Sequence, residues 1–162
     1  MRQARPPCFD RAVLQARAWT LSWLPVVLWM ILIFSGSTDI LSIRRTSRII
    51  GPFLRWLKPD ISERAIKNVQ VIIRKSAHLT EYAILALLCW RALRGSVIAG
   101  PWQWEQAGIA LGLAFLYAIT DEVHQSFVKS RMGSGWDVVI DTCGAMLGLL
   151  LLWRFGRSRA YW

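Results

Sequence analysis

The stretch TDEVHQSFVKSRMGSGWDVVIDTCG, residues 120–144, gathers the side chains best suited to chemistry. Four carboxylates, Asp121, Glu122, Asp137 and Asp141, could share a divalent cation, because hard cations take several oxygen ligands. His124 or Glu122 could move a proton as a general acid–base group. Arg131, between the two acidic clusters, could meet a phosphate together with Lys75 and the basic residues upstream of it. A second group lies upstream in RKSAHLTEY, residues 74–82. There Lys75, His78 and Tyr82 recur at helical spacing, with Glu81 three residues beyond His78. In the first stretch Asp121 and Gln125 are four apart, as are Asp137 and Asp141. The candidate catalytic residues are therefore His78, Asp121, Glu122 and His124. The candidate ligand-binding residues are Lys75, His78, Glu81, Tyr82, Gln125, Arg131, Asp137 and Asp141, and the candidate cation ligands are Asp121, Glu122, Asp137 and Asp141.

Other chemistries find little support. The two histidines and the absence of H-E-x-x-H argue against a zinc site. There is no serine elbow and no phosphate-binding P-loop. The three cysteines show no C-x-x-C, which favours unpaired buried thiols over a redox or metal motif. Twenty Lys and Arg against ten acids give a formal charge of +10. That balance suits acidic lipid or another polyanion, and no zinc-finger, helix-turn-helix or RNA-binding signature points to nucleic acid.

The elements that must carry these residues are apolar helices. The chain is 54% hydrophobic with a mean hydropathy of +0.34 and ten tryptophans. Residues 19–34 contain no charge, and with their flanks they make a span over about 18–37. Pro25 is positioned to kink it. A signal peptide ending near Ser35-x-Ser37 is the weaker alternative, since the run is long and follows an Arg-studded tail. Further spans are expected over about 77–94, 105–123 and 137–155, with basic tails at 1–17 and 156–162. The spacing of Gly108, Gly112, Gly144 and Gly148 suits close helix packing in a membrane. Between the first two spans, residues 38–76 mix Ile, Leu, Phe and Trp with nine basic residues, which predicts an amphipathic segment on the membrane surface. Gly51-Pro52 is expected to interrupt its helix. The fold class is all-α: a small polytopic bundle of four transmembrane helices with one amphipathic basic segment.

Four crossings put Trp19, Trp23, Trp90, Trp102, Trp104 and Trp153 on one side, as an interfacial belt. The same topology sends both histidines and half of the acids to the opposite end. A charge at the centre of a membrane helix costs roughly 2.5–3.5 kcal/mol, and less near an interface. Such groups persist by pairing, by facing water or by holding a ligand. Singly, each is better explained as a helix-end or structural pair; together they favour a polar cleft. The basic residues of the tails favour both termini in the cytoplasm.

The residues RKSAHLTEYAILALLCWRAL, then YAITDEVHQSFVKSRMGSGWDVVIDTCGAMLGLLLL, resemble the VanZ-like family of small bacterial membrane proteins. IFSGST after the first span is also similar to that family's short serine-containing stretch. The resemblance covers about residues 29–152 and rests most on D-E-x-H-Q, then Arg, then D-x-x-x-D-x-x-G. It implies a multi-pass protein of the bacterial cytoplasmic membrane. Its motif falls on Lys75, His78, Glu81, Tyr82, Asp121, Glu122, His124, Gln125, Arg131, Asp137, Asp141 and Gly144. Relatives carry Pro-Gly before the arginine where this chain has Lys129-Ser130. The family's named member is associated with low-level resistance to teicoplanin.

Three functions follow as expectations. The first is a module that binds or remodels an anionic envelope molecule, such as a polyprenyl-phosphate-linked precursor. The second is a metal-assisted hydrolase or transferase acting on a lipid phosphate, with a divalent cation as cofactor. The third is a structural or partner subunit without activity of its own. Membrane lipids are the expected partners, and the sequence leaves self-association open.

Overall fold

The computed structural model describes residues 8–37, 43–95, 101–127 and 134–158; the side chains of 8–16 and 43–49 fall outside that description. Its elements are five helices in chain order: α1 (Cys8–Ser37), α2 (Ile43–Leu57), α3 (Glu63–Arg94), α4 (Trp104–Phe127) and α5 (Gly135–Ser158). No strand occurs among the described residues.

Local chemistry sets the helix ends. Ser62 caps α3, its hydroxyl accepting from the Ala65 N–H at 3.3 Å, and Glu63 follows where the helix dipole favours an acid. The same helix stops at Gly95, whose φ of +60° is disfavoured for other residues and whose N–H reaches the Ala92 carbonyl. Two prolines sit inside helices. Pro25 leaves α1 continuous, and Pro52 lies within α2, so the expected interruption at Gly51-Pro52 does not occur. A proline removes one backbone hydrogen bond per helix but fixes φ near the helical value. An outlying helix with a solvated or headgroup-facing side can tolerate that loss.

Among the described residues three helices are long and apolar enough to cross a membrane: Arg17–Ser37, Trp104–Phe127 and Gly135–Ser158. The expected segment 77–94 forms the C-terminal part of α3, a 32-residue helix. Length and composition do not mark it as a span, yet α3 is the hub of the bundle. It packs most extensively on α5, then on α4 and α1. The reason lies in its buried face. His78, Tyr82, Leu85, Ala86 and Cys89 follow helical spacing and turn inward, which gives the helix a buried face toward its neighbours.

The facing helices are built to match. α4 buries Ala107, Ala110, Ala114 and Ala118, then continues the same stripe with Asp121 and Gln125. α5 buries Asp141, Gly144, Ala145, Gly148 and Leu149. Gly144 lies directly on the Leu79 backbone of α3, and a Cβ at Gly148 would sit 3.0 Å from the Ala83 carbonyl. Small residues here let two backbones touch. Gly108 and Gly112 do not serve that purpose, for a Cβ at either would meet nothing within 4 Å. The outward faces carry exposed Leu28, Leu116 and Leu151, as lipid-facing helices do.

Among the described helices α2 contacts only α3. Arg55 pairs with Glu63 across the turn between them. Phe53, Trp56 and Leu57 stay exposed, Trp56 at 78%. This is the amphipathic helix predicted for the loop, held beside the bundle instead of inside it.

Candidate functional site

The end of the bundle where α1 and α4 finish and α5 begins gathers polar side chains from four helices. Most of them form a buried layer. Asp121 Oδ2 accepts from the Ser37 hydroxyl at 2.9 Å and from Gln125 Nε2 at 2.9 Å. The amide also reaches the Ser37 oxygen at 3.4 Å. His78 Nδ1 lies 3.3 Å from Asp141 Oδ1, an ion-pair distance without the alignment of a good hydrogen bond. Tyr82 is fully buried between these pairs, with both carboxylates within electrostatic reach of its hydroxyl. Its ring lies 6.3 Å from that of Tyr117, which donates to the Met30 carbonyl at 2.7 Å. Among the described residues the Tyr82 hydroxyl, Asp121 Oδ1 and Asp141 Oδ2 have no hydrogen-bond partner.

Above this layer is an open mouth between α3 and α5. Val71, Arg74, Lys75, His78, Asp137 and Ile140 line a pocket of about 50 Å³. Arg74 Nη2 stands 3.4 Å from Asp137 Oδ2, and Lys75 Nζ stands 3.7 Å from Asp137 Oδ1. Two cations flank one carboxylate, so the mouth keeps a net positive charge. His78 belongs to both levels: its ring lines the pocket and its Nδ1 faces Asp141.

The sequence-selected residues therefore separate. His78, Tyr82, Asp121, Gln125 and Asp141 come together in the buried layer, and Lys75 and Asp137 join at the mouth. Glu122 does another task, accepting from the Ser134 N–H at 2.7 Å and so fixing the start of α5. His124 packs against Phe34 with the rings tilted, their centroids 4.2 Å apart. Glu81 faces the side groove between α1 and α3, beside Ser76, Thr80 and Trp29. Lys129 and Arg131 lie outside the described residues.

Two residues were not selected from sequence. Arg74 was counted only among the basic residues of the loop, although helical spacing placed it four before His78. Ser37 was visible in IFSGST, but nothing in α1 alone shows that its hydroxyl reaches Asp121.

As for a divalent cation, no group of three or more His, Cys, Asp or Glu among the described residues is arranged to hold a metal. The four carboxylates proposed as cation ligands are divided instead. Asp121 serves Ser37 and Gln125, Glu122 serves Ser134, Asp141 faces His78, and Asp137 faces Arg74 and Lys75.

At the opposite end the tryptophans meet. Trp90 stacks on Trp102 at 5.1 Å, Trp102 meets Trp104 at 5.6 Å, and Trp104 meets Trp153 at 5.4 Å. Arg94 lies over Trp90, and Arg157 over Trp153. The polar layer and the aromatic ladder thus mark the two ends of the bundle.

The family model described as VanZ/LLP1 matches residues 22–156, which takes in α3, α4, most of the apolar parts of α1 and α5, and the whole polar layer. Among curated proteins and among solved structures, none matches. The chain is a helical membrane protein that belongs to the VanZ/LLP1 family.

Proposed function

We propose that this protein binds the phosphate of an anionic envelope lipid, such as a polyprenyl-phosphate-linked precursor, at the mouth between α3 and α5. The observation that carries the reading is the pairing of Arg74 and Lys75 around the single carboxylate of Asp137. A second cation beside an already paired carboxylate leaves charge for an incoming anion, and a guanidinium suits phosphate geometry. The pocket, about 50 Å³, has room for a phosphate group, with the remainder of the ligand outside it. The basic residues Arg55 of α2, Lys58 of the turn after it, and Arg64 and Lys67 at the start of α3 would draw anions toward this end. With both termini in the cytoplasm, the mouth faces the outer leaflet, where cell-wall precursors are consumed. Holding such a precursor is the route by which a member of this family could influence teicoplanin susceptibility.

In this reading the buried layer positions the mouth and contacts no ligand. His78 connects the two, and Asp141 fixes its ring. The test compares binding of a polyprenyl phosphate with that of the matching polyprenyl alcohol to the purified protein in detergent. The phosphate should bind more tightly, and Arg74→Gln with Lys75→Gln should remove the preference. Equal binding of phosphate and alcohol by the unaltered protein would overturn the proposal.

A second reading has its own observation. Tyr82, Gln125 and Asp141 are wholly inaccessible, which suits a structural lock joining four helix ends. If locking is the only role, charge-removing substitutions in the polar cluster reduce stability without any separable loss of activity. Metal-assisted hydrolysis or transfer has less support, because the carboxylates do not converge.

A further inference from the structure

We propose that a groove between α4 and α5, at the tryptophan end of the bundle, holds one acyl chain of an anionic glycerophospholipid whose phosphate rests on Arg154 and Arg157. The site is independent of the mouth, which lies at the other end.

The groove has a volume of about 160 Å³. Ala107 and Leu149 form its buried floor, while Gly108 and Leu111 of α4 and Met146 and Leu150 of α5 make the walls. It exists because α4 is small where it faces α5. A Cβ at Gly108 would meet nothing within 4 Å, whereas Gly144 and Gly148 of α5 are closed against α3. The α5 glycine pair brings helices together, while Gly108 leaves a hollow. In a bilayer the molecules at hand to fill an apolar hollow on a lipid-facing surface are hydrocarbon chains.

Charge selects among the lipids. Trp104 borders the groove and its ring lies 5.4 Å from that of Trp153. The Arg157 guanidinium stands 5.8 Å from the Trp153 ring. On α5, Met146, Leu149, Leu150, Trp153 and Arg157 follow one helical stripe, so hydrocarbon, indole and cation succeed one another along the groove. From Leu150 to Arg157 is about 10 Å at the helical rise. Arg154, three residues from Arg157, is exposed beside it. Glu105 is the acidic residue of α4's first turn at this end, so two arginines outnumber one carboxylate. Tryptophans and basic residues commonly settle at the headgroup level. A phosphate without a compensating ammonium gains more from two arginines than a zwitterionic headgroup does.

The experiment uses the full chain in detergent and native mass spectrometry, with phosphatidylglycerol and phosphatidylcholine of identical chains as probes. Arg74→Gln with Lys75→Gln serves as background, so that phosphate held at the mouth is not counted. A single phosphatidylglycerol should bind in that background about tenfold more tightly than phosphatidylcholine, or better. Gly108→Leu, which fills the hollow, should weaken binding of both lipids. Arg154→Gln with Arg157→Gln, both exposed, should reduce phosphatidylglycerol to the phosphatidylcholine level. Equal binding of the two lipids in the background protein would overturn the proposal. Retention of the preference in the Arg154/Arg157 variant would do the same. Loss of all phosphatidylglycerol binding on changing Arg74 and Lys75 would assign the lipid to the mouth and also reject this site.

Discussion

Gly144 of α5 rests on the backbone of Leu79 in α3, leaving no room for even a methyl group. This contact sets the separation of the two helices that frame the mouth. It also brings Asp141, one turn earlier, opposite His78.

Gly144→Ala should accordingly destabilise the protein, since the methyl must displace backbone and not a flexible side chain. Overpacking of this kind costs about 1–3 kcal/mol. Gly112→Ala, where a Cβ meets nothing, should be neutral or stabilising by up to about 1 kcal/mol through helix propensity. Thermal unfolding of the two variants in the same detergent makes the comparison. Similar melting temperatures would show that the α3–α5 contact is looser than described.

Removing the Asp121 side chain should cost more than its size suggests. Asp121→Ala leaves the Ser37 hydroxyl and the Gln125 amide without their shared acceptor in a buried setting, a loss of about 1–3 kcal/mol. Asp121→Asn keeps one carbonyl acceptor and should lose less. Unfolding midpoints of the pair, compared with Ser37→Ala, check whether these three residues act as one unit.

His78 and Asp141 should be energetically coupled. Breaking a buried pair by removing one partner strands the other, at a cost of about 3–5 kcal/mol. His78→Gln and Asp141→Asn together should therefore cost clearly less than the sum of the single changes. A double-mutant cycle on unfolding measures the difference, and strict additivity would mean that the 3.3 Å approach contributes no interaction.

The mouth should behave in the opposite way. Arg74 and Lys75 hold partly exposed pairs with Asp137, and such pairs contribute about 0–1 kcal/mol. Arg74→Gln with Lys75→Gln should hardly move the melting temperature while weakening phosphate binding. Binding to the unaltered protein should also weaken as salt rises. Binding that ignores ionic strength would remove the electrostatic basis of the proposed function.

α2 should report from the membrane surface. A fluorophore at position 56, attached through Trp56→Cys in a chain whose native cysteines are replaced by serine, should be quenched by lipid-borne quenchers in nanodiscs. Accessibility only to aqueous quenchers would place α2 in water.

Much of this architecture is legible residue by residue. The helical spans at 18–37, 105–123 and 137–155 are visible because uncharged runs of that length have few stable alternatives in lipid. The segment at 77–94 was harder to recognise, since His78, Glu81 and Arg91 dilute its hydropathy. In the fold His78 turns into the bundle. Pro52 is a local helix breaker in sequence, and the packing of α2 on α3 that accompanies its helical placement is not visible there. Gly108 and Gly112 shared the spacing of Gly144 and Gly148, and spacing alone did not show which pair touches a neighbour.

By itself, the sequence determined the class of fold and the end at which its polar groups meet. Apolar length fixes the crossings, and the cost of charge in hydrocarbon drives ionisable residues to one end of them. Only the tertiary structure decided how those groups divide. The helical period places Asp121 and Gln125 on one face of α4, or Asp137 and Asp141 on one face of α5, but it does not set the rotation of either helix about its axis. That rotation follows from close packing of many side chains on α3. It buries Asp141 beside His78, turns Asp137 toward Arg74 and Lys75, and brings Ser37, 84 residues away in sequence, to Asp121.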